Sequence, residues 1–108
     1  MHPLREMIAN RDKGGMLAIP SYCTGSMPVI RAALRRAART GKPVLIEATA
    51  NQVDQNGGYT GLKPADFFAL VMGMADEEGL SRDLLILGGD HLGPLTWADL
   101  PEKEAMAN

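Results

Sequence analysis

Three short apolar runs, each separated from the next by a segment of helical periodicity, constrain this chain more than any other feature. They are Met16-Leu17-Ala18-Ile19, Val44-Leu45-Ile46 and Leu84-Leu85-Ile86-Leu87. Continuous apolar runs of this length, with β-branched residues, are what strands covered on both faces require. Between the first two runs, Ile30, Ala33, Leu34, Ala37 and Ala38 recur at i, i+3, i+4, i+7 and i+8, one face of a helix. Ser26 stands at its N-cap position, Pro28 fits its first turn, and Thr40-Gly41 before Pro43 ends it. Between the second and third runs, a polar, glycine-rich stretch from Ala50 to Lys63 precedes a helix opened by Pro64. Phe67, Leu70, Val71 and Met74 share a face of that helix, and Gly79 closes it.

The flanks complete the pattern. Pro3 to Lys13 reads as a short lead-in helix stopped by Gly14-Gly15, and Trp97 to Met106 as a third helix with Pro101 near its first turn. Strand, helix, strand, helix, strand, helix with doubly covered strands predicts an α/β fold with parallel strands. The expected architecture is the N-terminal three β/α units of a TIM (β/α)8 barrel, with residues 1–108 forming one partial domain. A complete barrel takes about 250 residues. A three-stranded sheet with helices on one face leaves the other bare. At about two inward aliphatic side chains per strand, burial of about 10 kcal/mol is missing, comparable to the stability of a whole domain. A homo-oligomer or another partner is one way to cover that face.

Composition narrows the function classes. The chain is 45% apolar and 22% charged, with a net charge of -2, which argues against nucleic acid as a partner. No apolar run approaches the length of a membrane span, and the N-terminus lacks the apolar core of a signal peptide, so no membrane partner is expected. Cys23 is the single cysteine, so no internal disulfide can form, and a reducing, cytoplasmic setting is expected.

In parallel barrels the chemistry lies just past the carboxyl ends of the strands. Those positions hold Ser21-Tyr22-Cys23, Glu47-Ala48-Thr49 with Asn51, and Gly89-Asp90-His91. Asp90 and His91 can supply a proton-transfer carboxylate and a metal-binding imidazole; equally, Asp90 can cap a loop and His91 be merely hydrogen-bonded. Glu47 needs a partner on a strand, either a sugar hydroxyl, a metal or lysine, or a structural ion pair at the rim. The amides from Asn51 to Asn56, among them Gln52, suit polyhydroxyl ligands, or belong to a plain flexible loop. Cys23 has no histidine near it in sequence and reads as a packing residue. Arg31, Arg35 and Arg39, with Arg36 beside them, read as a solvated helix face. No GxGxxG, Walker or HExxH motif is present.

Several stretches together resemble one family, the non-catalytic (Z-type) subunit of class II D-tagatose-1,6-bisphosphate aldolase. They are Val44-Leu45-Ile46-Glu47-Ala48-Thr49, Asn51-Gln52-Val53, Gly57-Gly58-Tyr59-Thr60-Gly61, Pro64-Ala65-Asp66-Phe67 and Ile86-Leu87-Gly88-Gly89-Asp90-His91-Leu92-Gly93-Pro94. The similarity runs from about Gly15 to the C-terminus. Asp54, Asn56, Lys63 and Leu95 depart from the family pattern.

The resemblance implies a barrel of roughly 400 residues at full length, of which this chain holds the N-terminal part. It implies association with a catalytic class II aldolase subunit in galactitol or N-acetylgalactosamine breakdown, or, at full length, ketose-phosphate 4-epimerase or aldolase activity. An inactive truncated barrel is the third alternative. Asp90 matches the proton-handling aspartate of the related aldolases and His91 their zinc-binding histidine. Glu47, Asn51, Gln52 and Gly89 are the expected contacts to a sugar phosphate. Zn2+ is expected in the full-length protein and none in the isolated chain, which is expected to be inactive alone.

Overall fold

The computed structural model describes residues 2–11, 14 and 18–108, with the backbone alone at 95 and 96. Strands β1 (Ser21–Cys23), β2 (Val44–Thr49) and β3 (Leu85–Asp90) form one parallel sheet in the order β1-β2-β3. The helices are α1 (Pro3–Arg11), α2 (Met27–Thr40), α3 (Pro64–Glu77) and α4 (Glu102–Met106), with 3-10 turns at Arg82–Leu84 and Pro94–Trp97. The expected α/β fold with three parallel strands is therefore present, in the layering of a partial β/α barrel.

β2 is the centre of the sheet, and its side chains alternate strictly between buried and half-buried. Val44, Ile46 and Ala48 face the helices and join Ile30, Ala33, Leu34 and Ala37 of α2 and Phe67, Val71, Met74 and Ala75 of α3 in one core. Ile30, Leu34, Val44, Ile46 and Val71 are fully buried, each worth about 1.5–3 kcal/mol of transfer free energy. Leu70, expected on the same face of α3, is 37% exposed, because the inward stripe follows Phe67, Val71 and Met74 with Ala75.

α2 ends as its sequence requires. Gly41 adopts φ 65° and donates its N–H to the Ala37 carbonyl at 2.9 Å, the left-handed cap that glycine favours. Ser26 occupies the N-cap position of α2, but its side chain makes no capping bond; its own N–H donates instead to Thr24 Oγ1.

Three expectations for the elements change. The first strand, expected over Met16–Ile19, lies at Ser21–Cys23, with Ala18 and Ile19 outside it; Met16 and Leu17, like Lys13 and Gly15, fall outside the described residues. Pairing with β2 sets this position: Leu45 N–H donates to the Pro20 carbonyl at 3.0 Å, and Ser21, Tyr22 and Cys23 then align with Leu45, Ile46 and Glu47. β3 does not stop at Gly88-Gly89 but runs through both to Asp90, in register with Glu47, Ala48 and Thr49. A ladder needs only backbone groups, so glycine serves as well as any residue. The C-terminal segment is not one helix from Trp97. A 3-10 turn is followed by α4, whose N-cap is Pro101, since the residue before a proline disfavours helical torsions.

The uncovered sheet face is far more polar than expected. Alternation and register place Ser21 and Cys23, then Leu45, Glu47 and Thr49, then Ile86, Gly88 and Asp90 on it. Leu45 and Ile86 are its two aliphatic residues, so the missing burial falls to roughly 3–6 kcal/mol.

The arginine stripe of α2 is likewise more than a solvated face. Arg35 grips Glu78 through Nε at 3.0 Å and Nη2 at 3.1 Å, while Arg31 Nη1 reaches Glu77 at 2.8 Å and Glu78 at 3.1 Å. These bonds tie α2 to the end of α3, and Arg36 and Arg39 remain exposed. Hydrogen bonds from Arg35 and then Arg31 lower the Glu78 pKa from 4.5 to about 2. A carboxyl whose pKa falls on folding adds stability that is complete above its unfolded pKa and is lost as pH drops toward the folded value. We therefore expect Glu78→Gln to lower the melting temperature at neutral pH. The difference from the parent chain should shrink between pH 4.5 and about 2, as followed by circular dichroism melts.

Candidate functional site

The carboxyl ends of the three strands bring together side chains far apart in sequence. Cys23 ends β1, Glu47 aligns with it on β2, and Asp90 ends β3 opposite Thr49. Glu47 and Asp90 are two residues out of step across the ladder, yet both point to the open face, where Gly88, level with Glu47, carries no side chain. A Cβ at Gly88 would lie 3.8 Å from Glu47 Cγ. One potential ligand atom from each of Cys23, Glu47 and Asp90 lies within 4.8 Å of those of the other two.

Each of the three carries a definable restraint. Ser21 Oγ donates to Glu47 Oε1 at 2.8 Å and fixes that carboxylate. Among the described residues Glu47 forms no ion pair, and Ser21 is its side-chain partner. Asp90 Oδ1 accepts the His91 N–H at 3.1 Å, the loop-capping contact, and Asp90 Oδ2 lies 3.6 Å from His91 Nε2. The Cys23 thiol is pushed above its ordinary pKa, first by desolvation, then by its hydrogen bond to Asp90 and by the negative charge of Asp90 and Glu47. A raised pKa leaves less of the nucleophilic thiolate at any given pH.

The residues predicted from sequence divide clearly. Asp90 and Glu47 converge. His91 follows with φ 53°; its side chain is 75% exposed and its Nε2 lies 3.6 Å from Asp90 Oδ2, beside the cluster that Asp90 forms with Cys23 and Glu47. Asn51 is exposed, and its carbonyl accepts the Tyr59 N–H at 2.9 Å. Gln52 Oε1 accepts the Thr49 N–H at 2.8 Å, so this amide builds the turn after β2. Gly89 lies on the helix-side face, where a Cβ would come within 2.7 Å of Leu92 Cδ1.

The long loop is also more ordered than a flexible connection. Asp54 Oδ1 accepts from the N–H groups of Asn56 and Gly58 at 2.7 and 3.0 Å. Thr60 Oγ1 donates to the Gln52 carbonyl at 2.6 Å. Gly58 adopts φ 54°, and a Cβ there would sit 2.4 Å from the Gln52 carbonyl oxygen, so only glycine fits.

Sequence reading missed Cys23, which is exposed rather than packed. Its place at a strand end, level with Glu47, was the available signal. Of the two histidines, His91 stands beside Asp90 with its side chain largely exposed, and His2 precedes α1.

The thiol chemistry is directly testable. Replacing Asp90 by Asn removes a charge that raises the Cys23 pKa, so Asp90→Asn should speed alkylation of Cys23 by iodoacetamide near neutral pH and shift its rate–pH profile to lower pH. An unchanged profile would show that Asp90 does not act on the thiol.

Known proteins extend the picture. A crystal structure described as a probable tagatose 6 phosphate kinase from Sinorhizobium meliloti 1021 superposes with a TM-score of 0.79 at 54% identity. The match covers 84% of this chain and 24% of that one, so this chain spans about a quarter of the length of that relative. The sequence model of the family described as D-tagatose-1,6-bisphosphate aldolase subunit GatZ/KbaZ-like matches residues 4–108. With that match spanning nearly every residue, the chain belongs to the GatZ/KbaZ-like D-tagatose-1,6-bisphosphate aldolase subunit family.

Proposed function

We propose that this chain contributes to a supporting, non-catalytic subunit of a class II tagatose-bisphosphate aldolase, acting in the cytoplasm in carbohydrate catabolism such as galactitol breakdown. Its partner is the catalytic aldolase subunit, and the ligand class is a ketose phosphate. The observation that carries this reading is the family match over residues 4–108, joined to a strand-end site where Glu47 and Asp90 converge with His91 beside Asp90. The family description and the name of the solved relative both concern a tagatose phosphate.

A second reading, ketose-phosphate epimerase or aldolase chemistry in the longer protein, is favoured by the convergence of Asp90 and Glu47 on the open face. There Asp90 would move a proton and Glu47, oriented by Ser21, would contact a hydroxyl of the substrate.

The test is a coupled assay of tagatose 1,6-bisphosphate cleavage. The purified chain alone is expected to cleave nothing. Added to a catalytic class II aldolase subunit, the longer protein carrying this segment is expected to raise its specific activity and slow its thermal inactivation, and Asp90→Asn is expected to leave both effects intact. Zinc-dependent cleavage by the chain alone would overturn the supporting-subunit reading. Turnover by the longer protein without a partner, abolished by Asp90→Asn, would establish the second reading instead.

A further inference from the structure

The turn inside the long loop after β2 sets up a covalent step in which the strand-end residues take no part. Asn56 is the one asparagine of the chain that glycine follows; Asn10 and Asn51 precede Arg11 and Gln52, whose side chains crowd the next backbone nitrogen. Asn56 is exposed, and among the described residues its side-chain amide makes no hydrogen bond. Gly57 has no Cβ, so nothing shields its backbone nitrogen from the neighbouring Asn56 Cγ. Asp54 stands against that encounter. Its Oδ1 accepts the Asn56 N–H at 2.7 Å and the Gly58 N–H at 3.0 Å, and its carbonyl accepts the Gly57 N–H at 3.0 Å. The Gly57 nitrogen becomes a nucleophile only on losing its proton, and a proton held in a hydrogen bond is harder to remove. The same bonds fix the torsions that must change before nitrogen and Cγ can meet. Every group involved lies within residues 54–58, so the step does not depend on the open sheet face.

We propose that Asn56 is a self-modification site, a deamidation site that the Asp54 clasp holds in check. Solvent base takes the Gly57 N–H proton, the nitrogen bonds to Asn56 Cγ, and the Cγ–Nδ2 bond breaks. Nδ2 takes a proton from solvent and leaves as ammonia. Water then opens the cyclic imide at either carbonyl, and no oxidation or reduction is involved. The product is an aspartate or, with the main chain rerouted through the side chain, an isoaspartate at position 56. Either adds a negative charge beside Asp54, and isoaspartate also lengthens the main chain by a methylene. The loop has no slack for it. A Cβ on Gly58 would sit 2.4 Å from the Gln52 carbonyl oxygen, and one on Gly57 would sit 3.2 Å from the Gly61 carbonyl carbon. Modification therefore unclasps the loop whose Gln52 side chain holds the Thr49 N–H at the end of β2. The step is independent of the supporting-subunit reading.

The test is incubation of the chain in mildly alkaline buffer, with and without guanidinium chloride, followed by peptide mass mapping and isoaspartate-specific methyl transfer. In denaturant, modification is expected at position 56 ahead of every other asparagine. In buffer it is expected to run slower by roughly tenfold or more, because the turn must open first. Asp54→Ala removes both bonds to the side chain and should speed the reaction in buffer by roughly 5–50-fold, with no change in denaturant. Asp54→Asn keeps an oxygen that accepts both bonds and should stay close to the parent. Circular dichroism shows whether Asp54→Ala folds; if it does not, the parent and Asp54→Asn rates in buffer against denaturant decide. Equal parent rates in the two media, modification at Asn10 or Asn51 ahead of Asn56, or a folded Asp54→Ala no faster than Asp54→Asn would overturn the proposal.

Discussion

Strand β2 is hydrogen-bonded on both sides, and the alternation of its six side chains divides the molecule. Val44, Ile46 and Ala48 face α2 and α3 and hold the core together, while Leu45, Glu47 and Thr49 face the open side. Because successive strand residues point to opposite faces, a one-residue slip would drive Glu47 into the helices and Ile46 into solvent. The core therefore enforces the register, and the register places Cys23 level with Glu47 and brings Asp90 to the next step of the ladder. The strand-end site is a by-product of packing on the opposite face.

Among the described residues, charge is handled differently in the outer layer and at the strand ends. At the outer layer, Arg31 and Arg35 neutralise Glu78 and join two helices that already share an apolar seam. At the strand ends, Glu47 and Asp90 gather beside a thiol with hydroxyl and backbone donors but no arginine or lysine partner among the described residues. Paired charge stabilises the shell, and unpaired negative charge is concentrated where a ligand can approach. This is the division expected when one face of a sheet builds structure and the other carries chemistry.

Much of this was legible in the sequence, for physical reasons that differ by element. The periodicity of α2 and α3 and the caps at Gly41 and Pro64 follow from local chemistry, and the structure agrees there. β1 was misplaced because Ser21 and Cys23 lie on the polar face, so the true strand looks like a loop while the apolar residues before it look like a strand. Gly88 and Gly89 read as a stop because their propensity is poor, but pairing with β2 overrides it. At the site, Asp90 and Glu47 were found by their strand-end positions. Cys23 was passed over because its neighbours are supplied by other strands, and the positive φ of His91 is invisible in a string of letters.

The measurement that bears most directly on this account is native-state amide hydrogen exchange of the chain, resolved by proton–nitrogen correlation spectra. If β2 is the element on which both the core and the strand-end site depend, its amides and those of the paired β3 residues Ile86 and Leu87 will exchange slowest and with a common opening free energy. The amides of α4 and the 3-10 turn before it will exchange far sooner. Exchange of β2 as fast as that of the C-terminal segment, while α2 and α3 stay protected, would contradict the account, because the helices would then hold the molecule together without the sheet.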